Sequence, residues 1–398
     1  MKIGILRESK SPPDKRVVLS PLQCKQLLHK YKHVELVVQP SKWRKFSDHE
    51  YSSLGINIQE DLSDCDVLFG IKEVDSKTLI PHKKYFFFSH TVKEQPQNRD
   101  LLRRILELEI TLIDYELLTD LSGSRVVGFG RYAGIVGCYN AFYTYGKRMG
   151  TFDLKRAYLC KDRFELESEL KKIKLDNIKI VVTGTGRVGE GVKELLKIIG
   201  VKQVSIDDFL HQSFNESVFV QLGSMDYYSR VDANSSSKAE FYSHPNLYQS
   251  DFNKFAEVAD VLISGHYHTA GAPCLFERDD VRNSAFTIKI VSDISCDVNG
   301  SIPSTLRFST IEDPIYGYDP MTEKEVDDEK QGVLSVVAID NLPCELPKDA
   351  SEAFGEEMLH KVLPCLFLSD EDGLLDRGTI CEAGKLKRDF NYLKSYVA

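Results

Sequence analysis

Two groups of residues in this chain are of types, and at spacings, that could carry chemistry. The first is Gly184-Thr185-Gly186-Arg187-Val188-Gly189, a G-x-G-x-x-G string. It lies between a β-branched run, Ile178–Thr183, and a stretch with helical apolar spacing, Val188–Ile199, which is the context a dinucleotide loop requires. Gly184 would permit a tight turn, Gly186 would let backbone approach a pyrophosphate, and Gly189 would allow close helix–strand packing. The free N–H groups and dipole of the helix start would then face the phosphates. About 20 residues on, the predicted strand Gln203–Ile206 ends in Asp207-Asp208; an acid there can bind an adenosine ribose and repel a 2′-phosphate. That favours NAD, with NADP still possible. A tight turn without ligand, and surface placement of both aspartates, are the plainer alternatives.

The second group is spread over the first third of the chain. Lys72 and Glu73 follow the apolar run Val67–Ile71, and His90 and Lys93 follow Tyr85–Phe88. Asp114 and Glu116 end ITLIDYE, while Arg125 begins RVVGFGRYAG, with Arg131 further on. Carboxyl ends of strands border the ligand crevice in doubly wound sheets. A Lys and a His there, with carboxylates nearby, are candidates for general acid–base work, and burial readily shifts a lysine toward a neutral base. Taken singly, each is an ordinary solvated loop residue; the cluster beside a dinucleotide loop changes the reading. His266-x-His268 lacks a third ligand at metal spacing, so no metal is expected.

Elements that would position these groups alternate along the chain. Met1–Leu6, Val34–Val38, Asp66–Ile71, Tyr85–Phe88 and Ile110–Asp114 read as strands. Ser20–Lys30 reads as a helix entered through Ser20-Pro21, and Arg99–Leu108 as a helix with an apolar stripe. Cys138–Arg148 reads as a helix crossing to a second unit. There Val258–Ser264, Phe286–Ser292 and Gly332–Ile339 continue the strand pattern. Residues 209–257 are polar and read as an insertion of loops and short helices. The expected fold class is α/β, with two doubly wound Rossmann-like domains and the active site in the cleft between them.

Composition sets outer limits. The chain has 398 residues, 51 Lys+Arg against 60 Asp+Glu, and a net charge of −9, which argues against a phosphate-backbone binder of nucleic acid. With 42% hydrophobic and 28% charged residues it reads as a globular protein of two or three domains. No apolar run reaches membrane-spanning length, and MKIGILRESK has no signal-peptide pattern, so a cytoplasmic protein is expected. The nine scattered cysteines form no C-x-x-C pair and are expected to be reduced thiols. The expected partners are small molecules, with neither nucleic acid nor membrane.

Beyond these readings, the segments KRVVLSP, GIKEV, FFFSHTVK, LIDYELL, RVVGFGRYAG, VTGTGRVGEG, SDISCDVNGSI, TIEDPIYGYDP and VVAIDNLPCELPKDAS resemble those of one family. It is the saccharopine dehydrogenase (L-lysine-forming) and lysine–ketoglutarate reductase group, within the alanine dehydrogenase and transhydrogenase superfamily. The resemblance implies Lys72 as general base and His90 as general acid, with Glu73 and Glu116 tuning Lys72. It implies that Arg16, Lys93, Arg125 and Phe129 line the substrate site, reached also by Ser295, Cys296 and Asp297. It implies dinucleotide contacts from Gly186, Arg187, Asp208, Tyr267, Ile294 and the segment Ile339, Asp340, Asn341 and Leu342. Where fungal members have a second arginine this chain has Ser124, and where some have a cysteine it has Val188.

The resemblance also implies a discontinuous substrate domain, 1–140 with 335–398, around a dinucleotide domain, 141–334. The strand-like VLSVVAID segment is further support for joining 335–398 to the first domain. The implied reaction is NAD-dependent interconversion of saccharopine and water with L-lysine and 2-oxoglutarate, in a monomer or homo-oligomer. Another amino-acid dehydrogenase of the superfamily, alanine dehydrogenase-like, and a non-catalytic NAD-binding regulator are the alternatives.

Overall fold

A computed structural model describes all 398 residues, 1–398. The chain divides into two compact units, 1–129 with 347–398 and 130–346. Each is built on an eight-stranded sheet.

The first unit begins with β1 (Lys2–Ile5), followed by α1 (Pro21–Lys30) and β2 (Glu35–Val38). Ser20 caps α1 in a capping box with Gln23, and Pro21 occupies its first turn, as the Ser-Pro pair predicts. Then come α2 (Asp48–Ser52), β3 (Asn57–Ile58), β4 (Val67–Phe69) and β5 (Lys84–Phe87). The helix α3 (Arg99–Glu107) buries Leu101, Leu102 and Ile105 and leads to β6 (Thr111–Asp114). These six strands are parallel, in the order β6-β5-β4-β1-β2-β3. Parallel strands covered on both faces are apolar throughout, which is why β4 and β5 read as VLF and KYFF.

The second unit opens with α4 (Gly130–Met149) and α5 (Arg163–Glu169). A β-α-β run follows: β7 (Lys179–Thr183), α6 (Arg187–Ile199) and β8 (Lys202–Gln203). The short helix α7 (Ile206–His211) precedes β9 (Val218–Leu222), which lies inside the stretch read as a polar insertion. That stretch also holds the hairpin β10 (Tyr228–Arg230) and β11 (Tyr248–Ser250), with α8 (Lys238–Ser243) and α9 (Asn253–Ala256). Its aromatic residues Tyr228, Phe241, Tyr248, Phe252 and Phe255 are buried in this unit's core, so the segment is integral to the fold.

The unit continues with β12 (Val261–Ser264), β13 (Ile290–Asp293), β14 (Ile315–Asp319), β15 (Lys324–Val326) and β16 (Leu334–Val337). The sheet order is β15-β14-β16-β13-β12-β7-β9-β8. β16 pairs in parallel with β13, so the VLSVV run belongs to the second unit, which extends to Leu346. Likewise α4, in which the predicted helix Cys138–Arg148 lies, falls wholly within that unit. The chain then returns through α10 (Pro347–Glu357) to β17 (Thr379–Glu382) and β18 (Lys385–Leu386), which add antiparallel strands beyond β6 of the first sheet. No helix is long and apolar enough to cross a membrane.

Two helices of the second unit meet through bare backbone. A Cβ on Gly134 of α4 would lie 2.0 Å from the Val188 carbonyl oxygen, and one on Gly191 of α6 would lie 2.1 Å from that of Arg131. Neither contact can be relieved by turning a side chain. Gly191→Ala is therefore expected to destabilise the chain by roughly 1–3 kcal/mol, as overpacking does. Lys197→Ala, on the exposed face of the same helix, should stay within about 0.5 kcal/mol. Urea unfolding of both variants beside the wild type measures the difference.

Candidate active site

In the first unit the carboxyl ends of β1, β4, β5 and β6 share one edge of the sheet, and the charged residues sit in the loops just beyond. Glu73 Oε1 lies 2.6 Å from His90 Nδ1, and Glu73 Oε2 lies 3.3 Å from Lys10 Nζ. Burial works against ionisation of Glu73, but the His90 hydrogen bond and the His90 and Lys10 charges outweigh it and bring its pKa down to about 2. An ionised carboxylate only accepts, so Nδ1 of His90 must carry the proton donated to Glu73. That leaves Nε2 as the atom available to a substrate. The His90 ring stacks on Phe88, and its backbone is left-handed, with φ 52°.

Lys72 is half-buried beside this pair. Burial pushes its ammonium below the ordinary lysine range, helped by the charges of Arg16 and Lys10, while Glu73 and Asp14 oppose the shift. Its backbone is fastened by a residue the sequence reading passed over. Glu8, three residues past the end of β1, accepts the N–H groups of Ile71 at 2.7 Å and Lys72 at 2.9 Å. Enclosure of its carboxyl and the nearby Asp14 charge raise Glu8 to about 7, against the pull of those two N–H donors. The available signal was its position: an acid just beyond a strand end, like those at β4 and β6.

The cations predicted to hold substrate are each paired in the protein. Arg16 is 3% exposed and grips Asp14 with two guanidinium bonds, Nε to Oδ1 at 3.0 Å and Nη2 to Oδ2 at 2.6 Å. Its guanidinium also lies 4.2 Å from the Phe129 ring centroid, and Phe129 stacks on Phe354. Glu116 Oε1 takes both Lys93, at 3.2 Å, and Arg125, at 3.1 Å. Burial opposes the charge on Glu116, yet Lys93, Arg125 and His90 hold its pKa below the usual range. Asp114, fully buried, is raised by desolvation and accepts the N–H groups of Ser89 and Glu116. Thus ion pairs and charge interactions link Glu73, His90, Glu116, Lys93 and Arg125, and Lys72 joins them through Glu73 and Arg16, whose guanidinium faces Phe129.

The second unit carries the glycine loop. Gly184 has φ 97°, and a Cβ there would lie 2.6 Å from the Gly265 carbonyl oxygen. A Cβ on Gly189 would lie 1.9 Å from Gly184 O, whereas one on Gly186 would meet nothing within 4 Å. Two glycines are thus needed for packing, and the third faces open space before the first turn of α6, which Arg187 opens. This is the shape of a pyrophosphate cradle, and the residues present fit a dinucleotide.

Tyr267 follows β12, Ile294 to Asp297 follow β13, and Ile339 to Leu342 follow β16, so these segments share the sheet edge of the loop. Tyr267 is 75% exposed, while Ile294, Ile339 and Leu342 are buried and Asp340 is exposed. Asn341 donates to Cys344 Sγ. The turn with Ser295 and Cys296 is tied to the buried Asp293 carboxylate, which accepts Ser295 Oγ at 2.7 Å and Cys296 N at 3.2 Å. His266 is engaged at both ring nitrogens, by Thr183 Oγ1 at 2.8 Å and Ser301 Oγ at 2.7 Å, and burial lowers it to about 4.

Asp207 and Asp208 are not where the sequence reading expects them. The strand ends at Gln203, and both aspartates lie in the first turn of α7. Asp208 supports the Ser205 cap and accepts from Gln212, and Asp207 pairs with His211 at 3.1 Å. Helix α7 is tied to the far end of β7, since Lys179, the first residue of that strand, donates from Nζ to Phe209 O at 2.6 Å.

Residues 4–136 match the family model described as alanine dehydrogenase/PNT, N-terminal domain. The chain is 30% identical over 437 residues to an alpha-aminoadipic semialdehyde synthase of Arabidopsis thaliana, covering 98% of this chain and 41% of that protein. It spans less than half the length of the plant and mammalian relatives of that name. A saccharopine dehydrogenase [NAD(+), L-lysine-forming] of Yarrowia lipolytica is 25% identical, with 90% of each chain covered. Among solved structures, an L-alanine dehydrogenase superposes with a TM-score of 0.67 over 100% of both chains at 17% identity, a likeness of fold.

Glu8 generates a pH test of this electrostatic arrangement. A carboxyl raised from 4.5 to about 7 stays protonated in the native state while the unfolded chain ionises. Its contribution to stability is then fully present below pH 4.5 and is lost as pH rises toward 7. Glu8→Gln removes that titration. The stability of wild type relative to Glu8→Gln should fall between pH 4.5 and 7 and level off above, whatever constant offset the lost hydrogen bond adds. Urea midpoints at pH 4, 5, 6, 7 and 8 measure this; a pH-independent difference refutes it.

Proposed function

We propose, for a chain that belongs to the alanine dehydrogenase and transhydrogenase superfamily, the NAD-dependent interconversion of saccharopine and water with L-lysine and 2-oxoglutarate. The observation that carries it is the network in which the Glu73–His90 pair and Lys72 lie among Arg16, Lys93 and Arg125. Saccharopine has three carboxylates and two amines, so a site for it needs several cations held in fixed positions. A keto acid with one carboxylate would need fewer. The relatives bearing saccharopine dehydrogenase in their names support the same substrate class.

The residues act on protons. Lys72, with its lowered pKa, has an amine able to take the proton of the secondary ammonium nitrogen. Bound at the glycine loop, the dinucleotide would accept the hydride from the carbon bearing that nitrogen. His90, held by Glu73 through Nδ1, takes a proton at Nε2 from the water that adds to the resulting C=N carbon. His90 then passes that proton to the nitrogen as general acid and takes the hydroxyl proton as the C–N bond breaks, while Lys72 returns its own proton to the departing amine of lysine, so that one proton is released overall. Arg16 and Arg125, with Lys93, bind and orient the carboxylates throughout. Ser295, Cys296 and Asp297, with Phe129, are proposed to complete the substrate site, and Arg187, Tyr267, Ile294 and the 339–342 segment to contact the dinucleotide.

Lys72→Met and His90→Gln should each lower kcat by roughly 10²–10⁴-fold while changing KM less, with one limb of the pH profile lost in each. The assay is NADH oxidation with lysine and 2-oxoglutarate, set against pyruvate and ammonia. Preference for pyruvate, or near-normal kcat in folded variants, overturns the assignment. Arg125→Ala should raise KM for 2-oxoglutarate by roughly 10- to 100-fold and leave that for NADH unchanged. An unaltered KM for 2-oxoglutarate would remove Arg125 from the substrate site.

A further inference from the structure

In a dinucleotide fold the acid that reads the adenosine ribose stands at the carboxyl end of the strand beside the glycine-loop strand. In sequence that is commonly the next strand. Here the next strand, β8, lies at the sheet edge, and β9 lies between it and β7. β9 pairs with β7 along its whole length, from Lys179↔Val218 to Thr183↔Leu222. β8 pairs only with the beginning of β9, Lys202 with Val218 and Gln203 with Phe219. The following helix is then anchored to Lys179, about 13 Å along the strand from Thr183 and the loop. Asp207 and Asp208 thus follow a strand that ends three residues short of the level of Thr183 and stands one strand further from the glycine loop.

The end of β9, in contrast, is built onto that loop. Gly184 N–H donates to Leu222 O at 2.8 Å, and the Gln221 amide donates to Gly184 O at 3.1 Å. The chain then turns through Gly223, where an added Cβ would lie 3.9 Å from Thr185 Cγ2, into a single turn, Ser224–Asp226. Asp226, half-buried, closes this turn by accepting Gly223 N–H on Oδ2 at 2.7 Å. One carboxylate oxygen is fixed by backbone, so the orientation of the other is set before any ligand arrives.

We propose that Asp226 is the residue that binds the adenosine ribose hydroxyls and so sets preference for NAD(H) over NADP(H). Its negative charge and acceptor oxygens suit the 2′- and 3′-hydroxyls and repel a 2′-phosphate. The inference rests on the reading of this chain as a dinucleotide-dependent dehydrogenase.

Equilibrium binding of NADH and NADPH to the full chain, followed by nicotinamide fluorescence, tests it without turnover. Wild type should bind NADH at least about tenfold more tightly than NADPH. Asp226→Asn, which can still accept Gly223 N–H, should weaken NADH by roughly 10- to 100-fold and bring the two affinities together. The Asp207→Asn/Asp208→Asn double variant should leave both affinities within about twofold. The ratio of affinities is read within one sample, so partial loss of folded protein does not alter it. A ratio unchanged by Asp226→Asn, one shifted only by the double variant, or a wild type that prefers NADPH would overturn the role of Asp226 while leaving the dehydrogenase reading intact. A wild type that binds neither dinucleotide would overturn that reading, and the inference with it.

Discussion

Three pieces of backbone in the second unit meet with only hydrogen atoms between them. Gly189 rests on Gly184 O at the turn after β7, while Gly134 and Gly191 let α4 and α6 cross at their main chains. The start of α6 is consequently pinned from two sides, by the strand it leaves and by the helix it crosses. A helix N-terminus offers a useful field only if its N–H groups keep a fixed direction. The same closeness leaves Gly186 as the exposed member of the loop, since its neighbours are committed to packing. Geometry for binding thus follows from geometry for folding.

The first unit meets a different constraint, that of keeping many charges together in little water. Four cations there are set against carboxylates, Arg16 against Asp14, Lys93 and Arg125 against Glu116, and Lys10 against Glu73, while Lys72 is held below its ordinary range chiefly by burial. Where a carboxyl lacks such a partner, burial raises it instead, as at Glu8 and Asp114. The arrangement keeps net charge low in the absence of ligand and preserves the positions of the cations. A polyanionic ligand would meet groups already in place, with part of their attraction engaged by internal carboxylates.

Much of this was legible in the chain itself. The glycine loop, its strand and its helix follow from local pattern, and Lys72, Glu73, His90 and Glu116 stand beyond strands whose apolar runs mark them. What local pattern lacks is neighbour order within a sheet. β9 is a five-residue run, VFVQL, within a polar stretch, and nothing in those five residues states that it inserts between β7 and β8. The same gap accounts for Asp207 and Asp208: an acid there reads the ribose only if the strand before it adjoins β7, and β8 adjoins β9 instead. Likewise VLSVVAID reads as a strand from sequence, but its parallel partner, β13, lies more than forty residues upstream and is known only from the pairing. Glu8 and Asp14 escaped notice because their importance lies in the N–H groups and the guanidinium they hold, not in any motif.

The backbone at His90 has a bearing on how the first unit evolves. A histidine with φ 52° carries strain of about 1–2 kcal/mol that glycine would not, and Glu94, at 51°, repeats it four residues on. The loop after β5 would be more stable with other residues in these places. Stability of this loop and possession of an imidazole at this position therefore pull in opposite directions.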